Sequence, residues 1–422
     1  MFIQKKLKSN ITLIAEPLRN FHSVTIGVWV GAGSKTETPE ENGISHFIEH
    51  MMFKGTKKRS AKQIAIDVDN IGGQINAFTS KECTCYYIKV MDEKLSEGIE
   101  ILTDLFCNAV LDKDELERER GVILEEIAMS NDSPEDVAMD LIAAAFFKGC
   151  TLSKTILGPP SNIERFTRDD LINYINNRYT ADNIVISVAG NFDEEKLTYE
   201  LDRFMEVNQN PVKNAPFMSC ADFSNTQAFA TESKDIEQVH ICMALPSYDV
   251  CDRKKYALQI LNNTIGGSMS SRLFQKIREE LGLAYTVYSH PVMYRDTGMY
   301  SFYAGTMSQN VVRVAELIRE ELTRVRKDGI SKAEFDQSKE QLKGNFVLSA
   351  ESTSAKMSAM GKSLLLTNRV YSDDEILKFI KYVTYEDVRQ VIDEIIKPDD
   401  LTAAYVGKVE EKDKLEKITM NT

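Results

Sequence analysis

Two stretches of this chain occur twice, in the same order and at nearly the same offset. "LDKDELERERGVILEEI", from Leu111, resembles "ISKAEFDQSKEQLKGNF", from Ile330. "FTRDDLINYI", from Phe166, matches "VTYEDVRQVI", from Val383. In the first pair a turn opens into a charged, periodic helix. In the second a capping threonine, Thr167 or Thr384, starts the helix. An apolar strand ending in glycine then follows in each case: "NIVISVAG" closes at Gly190 and "LTAAYVG" at Gly407. One such match could be chance, but two at one offset point to a duplicated domain. Each copy then takes about half of the 422 residues, a length that suits one core where the whole chain would not.

The stretch from Glu206 to Gln227, "EVNQNPVKNAPFMSCADFSNTQ", carries two prolines and no sustained period, and reads as a linker. The expected division is 1–210, a linker 211–227, and 228–422. Strand signals fall at Thr12–Ala15, Val24–Val30, Tyr86–Met91 and Ile184–Val188, then at Val239–Ala244, Tyr300–Ala304 and Leu401–Val406. Helical patterns lie between them. In "SAKQIAIDVDNIGG", Ser60 and Gln63 suggest a capping box, Ile64, Val68 and Ile71 an apolar stripe, and Gly72 a stop. Strands and helices mix without regular βαβ alternation. The expected fold is therefore α+β, one mixed α/β domain built twice.

The net charge of −13 argues against nucleic acid as the main partner. No run approaches the roughly 18 apolar residues of a membrane helix. The early lysines precede an apolar run broken by Asn10, Thr12 and Glu16, which is not the pattern of a secretory signal. Seven scattered cysteines, an odd number, suggest free thiols in a reducing cytoplasm.

"SHFIEHMMFKGT", from Ser45, holds two of the five histidines. Ile44, Phe47, Ile48, Met51 and Met52 make it a buried helix. At about 100° per residue, His50 lies roughly 40° round from His46 and Glu49 about 60° to the other side, so all three share a face. Two imidazoles one turn apart can reach one zinc ion. The glutamate can then take a proton from a water that zinc acidifies to a pKa of about 7. This is the inverted zincin signature H-x-x-E-H. The competing reading, a core helix whose histidines bond to backbone or acids, does not account for the five-residue pattern in so histidine-poor a chain. A third ligand must come from elsewhere, and the acid-rich helix Asp112–Met129 offers Glu119, Glu125 and Glu126. Glu119 and Glu126 are two turns apart on one face, with Val122 and Ile123 between them. That face is expected to be partly buried, where an acid needs a cation. Glu125 points elsewhere. The residues themselves leave the choice among the three open.

Taken together, these motifs resemble the pitrilysin and insulinase family of zinc peptidases, close to its single-subunit processing-peptidase branch. The resemblance spans essentially the whole chain, including its two halves. By its distance downstream of His50, it implies Glu126 as the third ligand. It also implies Glu119 as an acid supporting the site, and Glu49 as general base and then proton donor to the leaving amine. In "GGQINAFTSKECTCYYIKV" it implies that Asn76, Ala77 and Phe78 form an edge strand binding substrate as an added β-strand, main-chain bonds giving affinity without reading side chains; a plain hairpin strand is the alternative. In "GGSMSSRLFQKIREELGLAYTVYS" it implies that Arg278 and Tyr285 contact the substrate backbone and the developing oxyanion; a surface ion pair and a strand aromatic are the alternative. Asn345 falls where the repeat places Glu126, so one zinc per chain follows. The implied function is that of a zinc endopeptidase acting on oligopeptides or unfolded segments in a chamber. The implied assembly is a homodimer in which Arg278 and Tyr285 serve the partner's zinc site in trans. The alternative within the family is a catalytically inactive scaffold or partner subunit, such as the core subunits of respiratory complexes, which generally lack the intact motif. Cys83 and Cys85 lack the second pair of a zinc ribbon and read as packed residues, and His22, His240 and His290 as structural.

Overall fold

The first half of the chain forms one six-stranded sheet whose inner strands are near-continuous buried runs. The computed structural model describes residues 2–205, 220 and 227–420. Of the expected linker, all but Cys220 and Gln227 lies outside the described residues. The first half contributes β1 (Ile3–Lys6), β2 (Thr12–Pro17), β3 (Ser23–Val30), α1 (Ile44–Met52), α2 (Ala61–Asn70), β4 (Gln74–Thr79), β5 (Thr84–Met91), α3 (Leu95–Asn108), α4 (Lys113–Asp132), α5 (Pro134–Phe146) and β6 (Ile184–Gly190). Sheet order is β1-β2-β6-β3-β5-β4, with β6 parallel to β2 and the other neighbours antiparallel. On β3, Val24, Ile26 and Val28 face a core shared with Phe47, Ile48, Ile99 and Leu102. Trp29 points to the opposite face, and its Nε1 donates to Ser187 Oγ at 2.8 Å.

The second half repeats the plan. β7 (Phe229–Glu232), β8 (Gln238–Ser247), β9 (Ala284–Met293), β10 (Gly298–Met307) and β11 (Thr402–Val406) pair in the order β7-β11-β8-β10-β9. Here β11 is parallel to β7 and antiparallel to β8, as β6 is to β2 and β3. The repeat read from the sequence is thus a repeat of topology. Thr167 and Thr384 each form a capping box, with Asp170 and Asp387. Ser60 accepts from the Gln63 backbone, but the Gln63 side chain donates to Asp67, so the expected third box is only half made.

The packing differs from a division into 1–210 and 228–422 in one respect. Residues Ala128–Ser153 group with the second sheet and Ser349–Ser372 with the first. Each sheet has an apolar second face, and the equivalent helix of the other half covers it. Helix Thr353–Thr367 sets Met357, Met360 and Leu364 against Trp29, Cys85 and Val185. α5 sets Val137, Ala138, Ile142 and Phe146 against Cys242, Ala244 and Ala404. Ser133 and Ser352, at equivalent places in the two copies, cap these helices in the same way. The fit on Trp29 is close, since a Cβ at Gly361 would stand 2.1 Å from its Nε1.

Two of the seven thiols expected to be free are not. Cys150 and Cys220 form a disulfide, their Cα atoms 5.9 Å apart across 70 residues of sequence. Cys83, Cys85, Cys107, Cys242 and Cys251 form no disulfide among the described residues. Among the described residues, no helix is long and apolar enough to cross a membrane.

Candidate active site

The site is built on α1, and α1 is seated from its N-terminus. Gly43 caps it with φ of +101°, and a Cβ there would meet Leu157 O at 2.6 Å, so glycine is required twice over. The Glu37 carboxylate accepts from Gly43 N and Ser45 N, each at 2.9 Å, and from Asn42 Nδ2 at 3.1 Å. These donors and the helix dipole favour an acceptor there. Burial nevertheless raises the Glu37 pKa, outweighing the bonds that pull it down. Ser45 Oγ also pairs with Tyr174 OH at 2.9 Å. The first turn, which carries His46, is therefore held from several sides.

Three donor atoms converge beside it. His46 Nε2 lies 3.6 Å and His50 Nε2 3.4 Å from Glu126 Oε2. Tetrahedral zinc with bonds of about 2.0–2.1 Å needs donors roughly 3.3–3.4 Å apart. The set fits zinc in both atom type and spacing, and it is the one such group among the described residues. Burial, and then the charge of His50, lowers the His46 pKa to about 4, which keeps its ring in the neutral form that binds a metal. His50 Nδ1 faces Glu119 Oε2 at 3.1 Å, and the other Glu119 oxygen takes Lys54 Nζ at 2.7 Å. Glu119 is buried and Glu125 exposed. Of the two apolar residues between Glu119 and Glu126, Ile123 is buried as expected, but Val122 is half exposed because it lies round the helix toward solvent.

Glu49 shares this face of α1. Burial raises its pKa, while a hydrogen bond from Thr79 acts in the opposite sense. That bond, Thr79 Oγ1 to Glu49 Oε2, is 2.5 Å long. Thr79 ends β4, the edge strand, on which Asn76 and Phe78 are exposed while Ala77 and Thr79 are part-buried. Asn76 Oδ1 accepts from Ala77 N at 2.8 Å, and the Phe78 ring packs 5.6 Å from that of Trp29. Sequence reasoning missed Glu37, Lys54 and Thr79. Only Thr79 left a signal there, standing two residues beyond Ala77 and hence on the same side of the strand.

Arg278 and Tyr285 belong to the second unit. Arg278 lies in a π-helical turn, Phe274–Glu280, a rare geometry that is frequent at functional sites. Its guanidinium stands 4.7 Å from the Phe274 ring and 5.0 Å from the Tyr285 ring, with Glu279 at 3.6 Å. Tyr285 is 78% exposed. His22 and His290 are exposed, and His240 Nδ1 pairs with Tyr303 OH at 2.7 Å. Cys83 and Cys85 are buried against the first sheet's second helix layer.

A histidine pair and a distant glutamate around one point, with a further glutamate on the histidines' helix, are the arrangement of the inverted-zincin metallopeptidases. Residues 13–160 match the family model for insulinase (peptidase family M16), and residues 165–342 that for the M16 inactive domain. A Bacillus subtilis (strain 168) protein described as an uncharacterized zinc protease is 41% identical over 392 residues, 93% of this chain and 95% of that one. A Streptomyces coelicolor protein of the same description is 35% identical over 396 residues, 92% and 86% of the two chains. The chain belongs to the M16 peptidase family. In fold it is similar to a protease from Helicobacter pylori (TM-score 0.88, 22% identity, covering 96% and 99% of the two chains). It is also similar to a chain of complex III2 from Candida albicans (TM-score 0.83, 18% identity, 98% and 99%).

Proposed function

We propose that this chain is a zinc-dependent endopeptidase that hydrolyses oligopeptides or unfolded segments lying along β4 as an added strand. The observation that carries the reading is the convergence of His46, His50 and Glu126 with Glu49 beside them. Zinc, when bound by those three, supplies a Lewis acid that activates water at neutral pH. Glu119 holds His50 by its Nδ1. Glu49 accepts the proton of the attacking water and returns it to the leaving amine, two tasks that a carboxyl raised by burial suits. An added strand would take over the Ala77 N–H from Asn76, binding by main chain rather than by sequence. Arg278 and Tyr285 would stabilise the developing oxyanion, in trans across a homodimer. The relatives described as zinc proteases support the same reading.

Metal analysis with a quenched-fluorescence peptide library tests it. The expected result is one zinc per chain, hydrolysis by the wild type and none by Glu49→Gln. Zinc without hydrolysis would assign the chain to the non-catalytic partner subunits instead.

A further inference from the structure

Thr79 carries a hydroxyl that the fold directs at the base. We propose that Thr79 is a positioning residue, holding the Glu49 carboxylate in one orientation and tying that orientation to the strand on which the peptide lies. The inference rests on the reading of Glu49 as general base.

Proton accounting fixes the direction of the bond. Thr84 Oγ1 donates to the carbonyl of Ala32 at 2.9 Å, so its oxygen is left only to accept. Thr79 therefore faces two acceptors, Thr84 Oγ1 at 3.4 Å and Glu49 Oε2 at 2.5 Å. Its single proton goes to the nearer, ionisable one, giving a charge-assisted bond. Oε2 is thereby engaged, and Oε1 is the oxygen left to receive a proton.

The donor itself is rigidly placed. Thr79 and Thr84 are the last cross-strand pair of the β4–β5 hairpin. The turn beyond them is closed by Ser80 N and Ser80 Oγ, both donating to Cys83 O. It is pinned from outside by Ser34 N to Ser80 O, Lys35 N to Lys81 O, and the buried Lys35–Glu82 ion pair at 2.8 Å. The β-branched side chain restricts χ1 further. Asn76, Ala77 and Phe78 directly precede Thr79 on the same strand, so the donor to the base and the edge that takes the peptide share one fixed stretch of backbone. A threonine serving only as a strand residue would lose little kcat on replacement by valine, because both are β-branched and favoured in strands.

The test compares Thr79→Val, Thr79→Ala and Thr79→Ser by kcat and KM on one quenched peptide, by zinc affinity in chelator competition, and by melting temperature. Thr79→Val is expected to lower kcat roughly ten- to a hundredfold, the worth of a hydrogen bond to a charged group, with KM and zinc affinity within about twofold of wild type. Thr79→Ser restores the hydroxyl and should recover most of the loss. Thr79→Ala removes it without adding a methyl and stands in should the valine variant not fold. The proposal is overturned if kcat of the valine or alanine variant stays within twofold of wild type, if serine is as poor as valine, or if the loss lies in KM or in zinc. A wild type that hydrolyses nothing overturns the peptidase reading and this one together. A wild type that works, with Glu49→Gln inactive and Thr79→Val unaffected, overturns this one alone.

Discussion

Glu119→Gln tests the proposal that Glu119 aims a zinc ligand, His50, without being one itself. Glu119 is 5% exposed, with one oxygen 3.1 Å from His50 Nδ1 and the other 2.7 Å from Lys54 Nζ. Glutamine keeps the shape but offers one acceptor where glutamate offers two, so one of the donors must face an amide NH2. The ammonium makes the stronger bond and keeps the oxygen. His50 then loses the acceptor that would hold an Nδ1–H and direct Nε2 at Glu126. Losing such a partner behind a metal-binding histidine costs roughly ten- to a hundredfold in metal affinity, or about 1.4–2.7 kcal/mol. Glu126→Gln removes a donor outright and should cost more. Glu49→Gln removes none and should bind zinc as the wild type does while losing turnover. Competition with a chromophoric chelator near neutral pH gives all four affinities on one scale. The expected order is wild type equal to Glu49→Gln, then Glu119→Gln, then Glu126→Gln. Should Glu119→Gln bind as the wild type does, the contact to His50 is idle; should it bind more weakly than Glu126→Gln, the ligand assignment is inverted.

Gly361→Ala should destabilise the protein. The new Cβ would stand 2.1 Å from a Trp29 ring that is buried and pinned to Ser187, and overpacking of about 1–3 kcal/mol exceeds a helix-propensity gain of at most about 1 kcal/mol; an unchanged or higher melting temperature would show that the helix is not seated there. Acid should weaken the second unit through Glu334, whose pKa the Arg272 guanidinium holds down to about 2 from 4.5. A depressed carboxylate stabilises the fold above its unfolded pKa, and that share is lost as pH falls through about 4.5 toward 2, so Glu334→Gln should flatten the urea midpoint against pH in that window. The trans arrangement is checked by mixing Glu49→Gln with the double variant Arg278→Ala, Tyr285→Phe. Recovered hydrolysis after subunit exchange supports it, whereas heterodimers seen by mass analysis without activity count against it.

The legible parts of this fold are those in which one short window carries its own physical reason. α1 alternates buried apolar residues with its chemistry, and β6 and β11 are apolar runs closed by glycines at φ of +141° and +131°. The edge strands gave no such signal. β1 is "IQKK", β4 is alternately exposed, and β9 contains Pro291, because an edge needs neither continuous burial nor every N–H. Which sheet α5 or helix Thr353–Thr367 would cover is a property of two distant segments at once, as is the Cys150–Cys220 pairing. Lys54 and Glu37 were invisible for the same reason, since their roles are set by Glu119 and by the N–H groups of α1. Thr79 directly follows Asn76, Ala77 and Phe78, and the period of the strand places it on the side of Ala77.

The second half answers whether the charges around α1 are there for the fold. Ser338 stands where the repeat places Glu119, on helix Lys332–Ser349, which repeats α4. It is buried, and its hydroxyl pairs at 2.8 Å with that of Thr264 on helix Lys255–Ile265, which follows β8 as α1 follows β3. Asn345, in the position of Glu126, is exposed. The same topology therefore joins the corresponding helices with two neutral hydroxyls, and no group of metal donors forms there among the described residues. In the first half the junction carries Glu119, His50 and Lys54, ionisable groups whose desolvation is costly. A neutral pair suffices to hold the helices together, so the fold alone does not account for the cost of burying Glu119, which supports the proposal that it aims the Nε2 of His50.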